Sequence, residues 1–238
     1  MEILEESYFC TRNRSMAKHK LQRFEELNHL DRIFQYPFPL LHTNHNLKGN
    51  WRSDVFKNNN PIILELGCGR GEYTVALSKH NPSINFIGID IKGARIWRGV
   101  KTINEENILN AAFLRTHIDW IGSFFADGEI DEIWITFPDP QPQLSRENRR
   151  LTNAKFMSLY KQVLKPNGIL NLKTDNLGFF DYTVEMLANE KGEMKYCTRD
   201  LYTETPPDFD LSIQTTYEQI FLKQGLTIKY LKFKFDAL

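Results

Sequence analysis

The stretch Glu65-Leu66-Gly67-Cys68-Gly69-Arg70-Gly71 carries the strongest chemical signal in the chain. It ends a short apolar run, Ile62–Leu66, where a strand must turn sharply into a helix. Glycines at Gly67, Gly69 and Gly71 permit that turn and let a ligand approach the backbone closely. The spacing is G-x-G-x-G, not the G-x-G-x-x-G of dinucleotide sites. Asp90 closes the next apolar run, Asn85–Ile91, and a carboxylate there can accept both ribose hydroxyls of an adenosine. The bland alternative is a glycine-rich turn followed by a capping aspartate.

Electrostatics discriminates between adenosine ligands. Glu65, Asp90, Asp119 and Asp139 all fall at or just past predicted strand ends, so all can line one crevice. Four carboxylates repel a pyrophosphate but suit the sulfonium and ammonium of S-adenosylmethionine. In a partly buried site, opposite charges at about 4 Å are worth several kcal/mol. In Phe137-Pro138-Asp139-Pro140-Gln141-Pro142, alternate prolines fix φ and remove backbone donors, presenting Asp139 on a stiff loop. A proline-rich strand stop is the alternative there.

The elements that must position these residues alternate. Strands are expected at 62–66, 85–91, 112–118, 130–137 and 168–174, with helices at 71–80, 93–106, 149–164 and 177–189. Two late strands, near 194–201 and 226–235, lack a full-length helix between them. This pattern predicts a Rossmann-like, doubly wound, mostly parallel sheet of seven strands with an antiparallel last strand and helices on both faces. Residues 1–60 read as an N-terminal extension, with a basic arm and a helix over 17–34, and 61–238 as the catalytic domain.

Length and composition agree with one globular unit: 238 residues, 41% hydrophobic and 25% charged. No apolar run approaches the roughly 20 residues that span a bilayer. The acidic opening lacks a signal-peptide layout. Cys10, Cys68 and Cys197 are scattered and form no CxxC pair, which speaks against a disulfide scaffold or a zinc site. The expectation is a cytoplasmic protein with no metal, no membrane association and no obligate protein partner. His42 and His45 read as loop residues rather than ligands.

The formal net charge is zero, yet the charges are segregated. Residues 11–23 and 146–173 are basic, whereas 119–139 is acidic. That layout suits a basic face for a polyanion and an acidic pocket for a cation, or simply solvated surfaces.

At this point the motifs carry a family resemblance. From Met16 to Phe235 the chain resembles the bacterial tRNA (guanine-N7)-methyltransferases, which modify guanine 46 in the variable loop. The carriers are ELGCGRG at 65–71, IGID at 87–90, FPDP at 137–140, RRL at 149–151, KTDN at 173–176 and TTYE at 215–218. The resemblance implies that Glu65, Asp90, Asp119 and Asp139, with the glycine loop, contact S-adenosylmethionine. It also implies that Asp175 and Thr215, Tyr217 and Glu218 contact tRNA. The family's usual Trp and Lys after FPDP are Gln141 and Gln143 here. Gln143 can hydrogen-bond RNA but brings no charge, and Arg146, Arg149 and Arg150 lie close enough in sequence to supply it.

The chemistry needs no general base, because guanine N7 already has an in-plane lone pair. Positioning dominates, and Asp139 is the candidate for stabilising the cationic purine. Asp175 or Glu218 can accept N1–H and N2–H and so reject adenine. Trp51, Trp97, Phe179 and Tyr217 are possible stacking partners, although core packing is the commoner role for each. Two other readings remain: a methyltransferase for another substrate, which predicts no salt-sensitive RNA binding, and a non-catalytic RNA-binding protein on the same fold, which predicts no donor binding.

Overall fold

The computed structural model describes residues 20–37, 43–203 and 209–237. Its centre is an eight-stranded sheet in the order β1-β4-β3-β2-β5-β6-β8-β7. The strands are β1 (Ile33–Gln35), β2 (Ile62–Leu66), β3 (Asn85–Asp90), β4 (Ala111–Arg115), β5 (Ile130–Thr136), β6 (Leu164–Thr174), β7 (Gly192–Thr198) and β8 (Lys229–Phe235). Neighbours from β1 to β6 are parallel, and β8 runs antiparallel to both β6 and β7. The strand β2 is buried throughout, as expected of a strand covered on both faces.

The order reverses at β2, with β3 on one side and β5 on the other. The carboxyl ends of those three strands are therefore where a ligand crevice opens. The helices are α1 (20–27), α2 (Glu72–His80), α3 (Gly93–Glu105), α4 (Ile121–Phe124), α5 (Ala154–Val163), α6 (Leu177–Ala188), α7 (Phe209–Ser212) and α8 (Thr216–Lys223). Asn153 caps α5 by accepting from Phe156 N at 3.1 Å. Asn176 caps α6 by accepting from Phe179 N at 2.8 Å. Both fit the preference for a short polar side chain at a helix start.

The eighth strand lies where a helix over 17–34 was expected. That helix stops at residue 27: Asn28 N and His29 N bond back to Glu25 O and Glu26 O, and Arg32 takes a left-handed φ of 60°. The chain then adds β1 to the edge of β4, pairing Ile33 with Phe113. Farther along, Trp51 is buried in the main core and donates Nε1–H to Phe124 O at 2.8 Å. Residues 144–149 form a separate short turn ahead of α5, because Asn153 starts the longer helix. Residues 1–19, with most of the basic arm, Cys10 and His42 lie outside the described residues.

Candidate functional site

The glycine loop wraps the carboxyl ends of β2 and β3. Gly67 N and Cys68 N both donate to Ile89 O, and Gly69 N donates to Asp90 Oδ2 at 3.0 Å. Asp90 Oδ1 accepts from Lys92 N at 2.8 Å, so the carboxylate is held by backbone from both sides. Gly71 has φ +70°, and a Cβ there would sit 2.5 Å from the Phe113 ring, so glycine alone fits.

Glu65 is only 4% exposed. Its Oε2 accepts from Thr74 N at 2.9 Å and from Thr74 Oγ1, and its Oε1 accepts from Thr136 Oγ1 at 2.7 Å. Burial outweighs these hydrogen bonds and pushes its carboxyl up to about 7. Burial also pushes the Cys68 thiol well up, which removes it as a nucleophile.

Two cavities meet at Gly67. One, of about 370 Å³, is lined by Asp90, Thr116, Ile118, Asp119, Leu151 and Arg149, among others. The Thr116 hydroxyl is buried and has no hydrogen-bond partner. Half apolar wall and half polar groups, with an orphaned hydroxyl beside Asp90, fit a nucleoside. The second is a recess of about 80 Å³ between the glycine loop and Glu65, Thr136, Phe137, Thr215 and Tyr217.

The four carboxylates do not share one pocket. Asp90 and Asp119 line the larger cavity and Glu65 the recess, whereas Asp139 lines neither and sits on the exposed loop after β5. Asp119 is ion-paired with Lys155. Asp139 Oδ1 accepts from Gln141 N at 3.2 Å, and Phe137 and Gln141 adopt left-handed φ of 48° and 44°, so the loop is as constrained as its prolines suggest.

The acidic run is largely structural. Asp131 bonds Arg52 and Lys165 at 2.7 and 2.6 Å. Glu129 accepts from Gly49 N and Ala126 N, and Glu132 from Asn171 Nδ2. The basic run is mostly engaged too: Lys161 pairs with Glu190 at 2.6 Å. Arg150 donates Nε–H to Gln141 O at 3.1 Å and lies 4.4 Å over the Tyr182 ring, so it braces the Asp139 loop. Arg149 remains exposed at the larger cavity, and Gln143 is exposed on the same loop.

The carboxyl-terminal segment reaches the crevice through α8. Thr215 caps that helix by accepting from Glu218 N at 3.2 Å, and Tyr217, 52% exposed, stands at the recess. Glu218 does not reach the crevice. It is fully buried, paired with the equally buried Lys173 at 2.8 Å, and accepts from Tyr202 Oη at 2.6 Å. Lys173 also donates to Ile213 O at 3.1 Å, so this network anchors the turn before α8. Asp175 is half-buried at the end of β6, lining neither cavity.

Of the four candidate aromatics, Trp51 and Phe179 belong to the core, and Tyr217 alone stands at the recess. Trp97 is half-buried and donates Nε1–H to Glu26 at 2.6 Å. His45 packs against Tyr36 and Phe124. Among the described residues no cluster of three metal-ligating side chains occurs, and no helix is long and apolar enough to cross a membrane.

A family described as putative methyltransferase matches residues 59–231. A tRNA (guanine-N(7)-)-methyltransferase of Christiangramia forsetii is 49% identical over 92% of this chain and 98% of its own length. One of Bacteroides fragilis is 46% identical over 92% of this chain and 86% of its own. Among solved structures, the 16S rRNA methyltransferase KamB superposes with a TM-score of 0.60 at 11% identity, covering 78% of this chain and 92% of its own. A 30S ribosomal A1408 methyltransferase from an uncultured bacterium gives 0.56 at 19% identity, covering 82% and 96%. At those identities the two structures share the fold.

Proposed function

The chain belongs to the tRNA (guanine-N(7)-)-methyltransferase family, and on that premise we propose that it transfers a methyl group from S-adenosylmethionine to N7 of guanine 46 in the tRNA variable loop. The observation that carries the donor assignment is the cavity beside Asp90 with its orphaned Thr116 hydroxyl, at the strand-order reversal where the family's glycine loop lies.

When bound, S-adenosylmethionine supplies an electrophilic methyl on a positively charged sulfur. Asp90 has lone pairs left after its two backbone bonds and accepts the ribose hydroxyls. The Thr116 hydroxyl gains its missing partner from the nucleoside. Gly67 and Gly69 offer a wall without side chains, and Glu65 receives the ammonium end from the recess. Asp119 orients the adenosine while keeping Lys155 as its counterion.

The guanine N7 lone pair attacks the methyl carbon as the carbon–sulfur bond breaks and its electron pair stays on sulfur. The positive charge moves to the purine. Asp139, on its stiff loop, stabilises that charge as it develops, the kind of pre-set electrostatic help that costs no reorganisation during reaction. No side chain has to remove a proton. Thr215 and Tyr217 hold the incoming nucleotide, and Asp175 accepts from the N1–H and N2–H edge. Glu218 is withdrawn from that role in this reading, because Lys173 and Tyr202 already occupy its oxygens. Arg149 and Gln143 meet the RNA backbone, with Arg150 bracing their loop.

The test is incubation with unmodified tRNA transcript and methyl-labelled donor, followed by digestion to nucleosides. The expected product is N7-methylguanosine. Donor binding without labelled nucleoside would move the substrate assignment elsewhere.

A further inference from the structure

A groove of about 830 Å³ is lined by α2, α3 and the glycine loop, and it shares no lining residue with the Asp90 cavity. Its rim is arginine-rich: Arg70 from the loop, and Arg95 and Arg98 one helical turn apart on α3. All three are exposed, and none of their guanidinium groups has an ion-pair or hydrogen-bond partner among the described residues. The lysines of the basic run after the Asp139 loop, Lys155, Lys161, Lys165 and Lys173, are by contrast each paired with a carboxylate. Glu72, the one carboxylate among the described residues that line the groove, is already engaged: it accepts from Thr216 N at 2.6 Å and Thr216 Oγ1 at 2.8 Å. Trp97, at the groove wall, has Arg23 at 4.8 Å and Lys101 at 5.1 Å from its ring, so its faces hold cations rather than offering a stacking surface.

We propose that this groove is a second docking surface for tRNA, binding the phosphate backbone through Arg70, Arg95 and Arg98. The inference rests on the tRNA reading above and extends it. Two observations select a nucleic-acid backbone. Three guanidiniums with no partner of their own present planar forks that match phosphate oxygens. The groove is also continuous with the reaction crevice: Gly69, Arg70, Arg95 and Tyr217 line both. A strand whose base enters at Tyr217 has to carry its phosphates over one side or the other. Arg149 serves the strand where it passes the Asp90 cavity, and these three arginines serve it where it passes the groove.

The test measures binding of unmodified tRNA transcript across a salt series for the wild type, for the double variant Arg95→Ala/Arg98→Ala, and for a charge-matched control. The control is Lys191→Ala/Lys195→Ala, on the far sheet edge at β7. Each lost phosphate contact flattens the slope of log K against log salt by about 0.9. The double variant should therefore lose about two from the slope and bind tRNA at least about tenfold more weakly near physiological salt, with its thermal unfolding midpoint close to the wild type's. The control should follow the wild type. A double variant matching the wild type, or a control that falls equally, overturns the groove assignment. Methylation by the wild type is followed in parallel: if it labels no tRNA, the functional reading itself fails and takes the groove with it.

Discussion

Replacing Glu65 with Gln probes the donor site through proton linkage. The Glu65 carboxyl lies at about 7 in the folded chain, against an ordinary value of 4.5, and the leading cause is burial. Between those two values the folded state holds a proton that the unfolded state has lost. Stability contributed by this group is therefore complete below about 4.5 and is lost as the pH rises to 7. The gap of about 2.5 units corresponds to roughly 3 kcal/mol. A glutamine carries no such dependence. It can offer Oε1 to Thr74 N and Nε2 to Thr136 Oγ1, keeping the fold. In the absence of donor, denaturant unfolding at several pH values should then show the variant gaining roughly 3 kcal/mol on the wild type between pH 4.5 and 7.5. Donor affinity should behave in the opposite sense. If the ionised carboxylate receives the ammonium group, wild-type affinity rises about 15-fold from pH 5.5 to 7, following the ionised fraction, while the variant binds weakly and without that rise. Parallel stability curves would refute the account of a carboxyl raised by burial. An identical affinity rise in both proteins would remove Glu65 from donor binding.

Other substitutions separate chemistry from architecture. Asp139→Asn is nearly isosteric and should leave the melting temperature and donor affinity close to wild type, while single-turnover methyl transfer falls on the order of 100-fold. Gly71→Ala forces a Cβ to 2.5 Å from the Phe113 ring at a φ of +70°, and thermal unfolding should report a loss of about 2–4 kcal/mol. Lys173→Met leaves Glu218 buried without its counterion and should cost about 3–5 kcal/mol by denaturant titration, with Lys173→Met/Glu218→Gln recovering part of it.

What was legible in the sequence is what is local along it. The strand–glycine loop–helix unit, Asp90 at the end of the next strand, and the proline-stiffened Asp139 all depend on near neighbours, and each lies where its segment suggested. The late antiparallel pair was also readable, although two short helices, α7 and α8, stand between β7 and β8 where no full-length helix was expected. The structure departs where a residue's role depends on a distant partner. Glu218 reads as a free acid able to meet the guanine edge, but Lys173, 45 positions away, draws it into the core. Asp119 reads as an open carboxylate until α5 brings Lys155 to it. The acidic and basic runs look like opposing surfaces, yet pairs such as Asp131 with Lys165 show them partly neutralising each other across the fold. The strand β1 was hidden for a related reason: three residues carry little periodicity, and pairing with β4 decides their conformation. The unpaired arginines at 70, 95 and 98 never formed a run, so only the packing of α2 beside α3 reveals them as a group.

The most direct measurement is methyl transfer to two tRNA transcripts that differ only at position 46, one with guanine and one with adenine. The expected result is N7-methylguanosine in the first and no labelled nucleoside in the second, with both transcripts bound comparably. Equal labelling of the two, or label on any atom other than guanine N7, would contradict it.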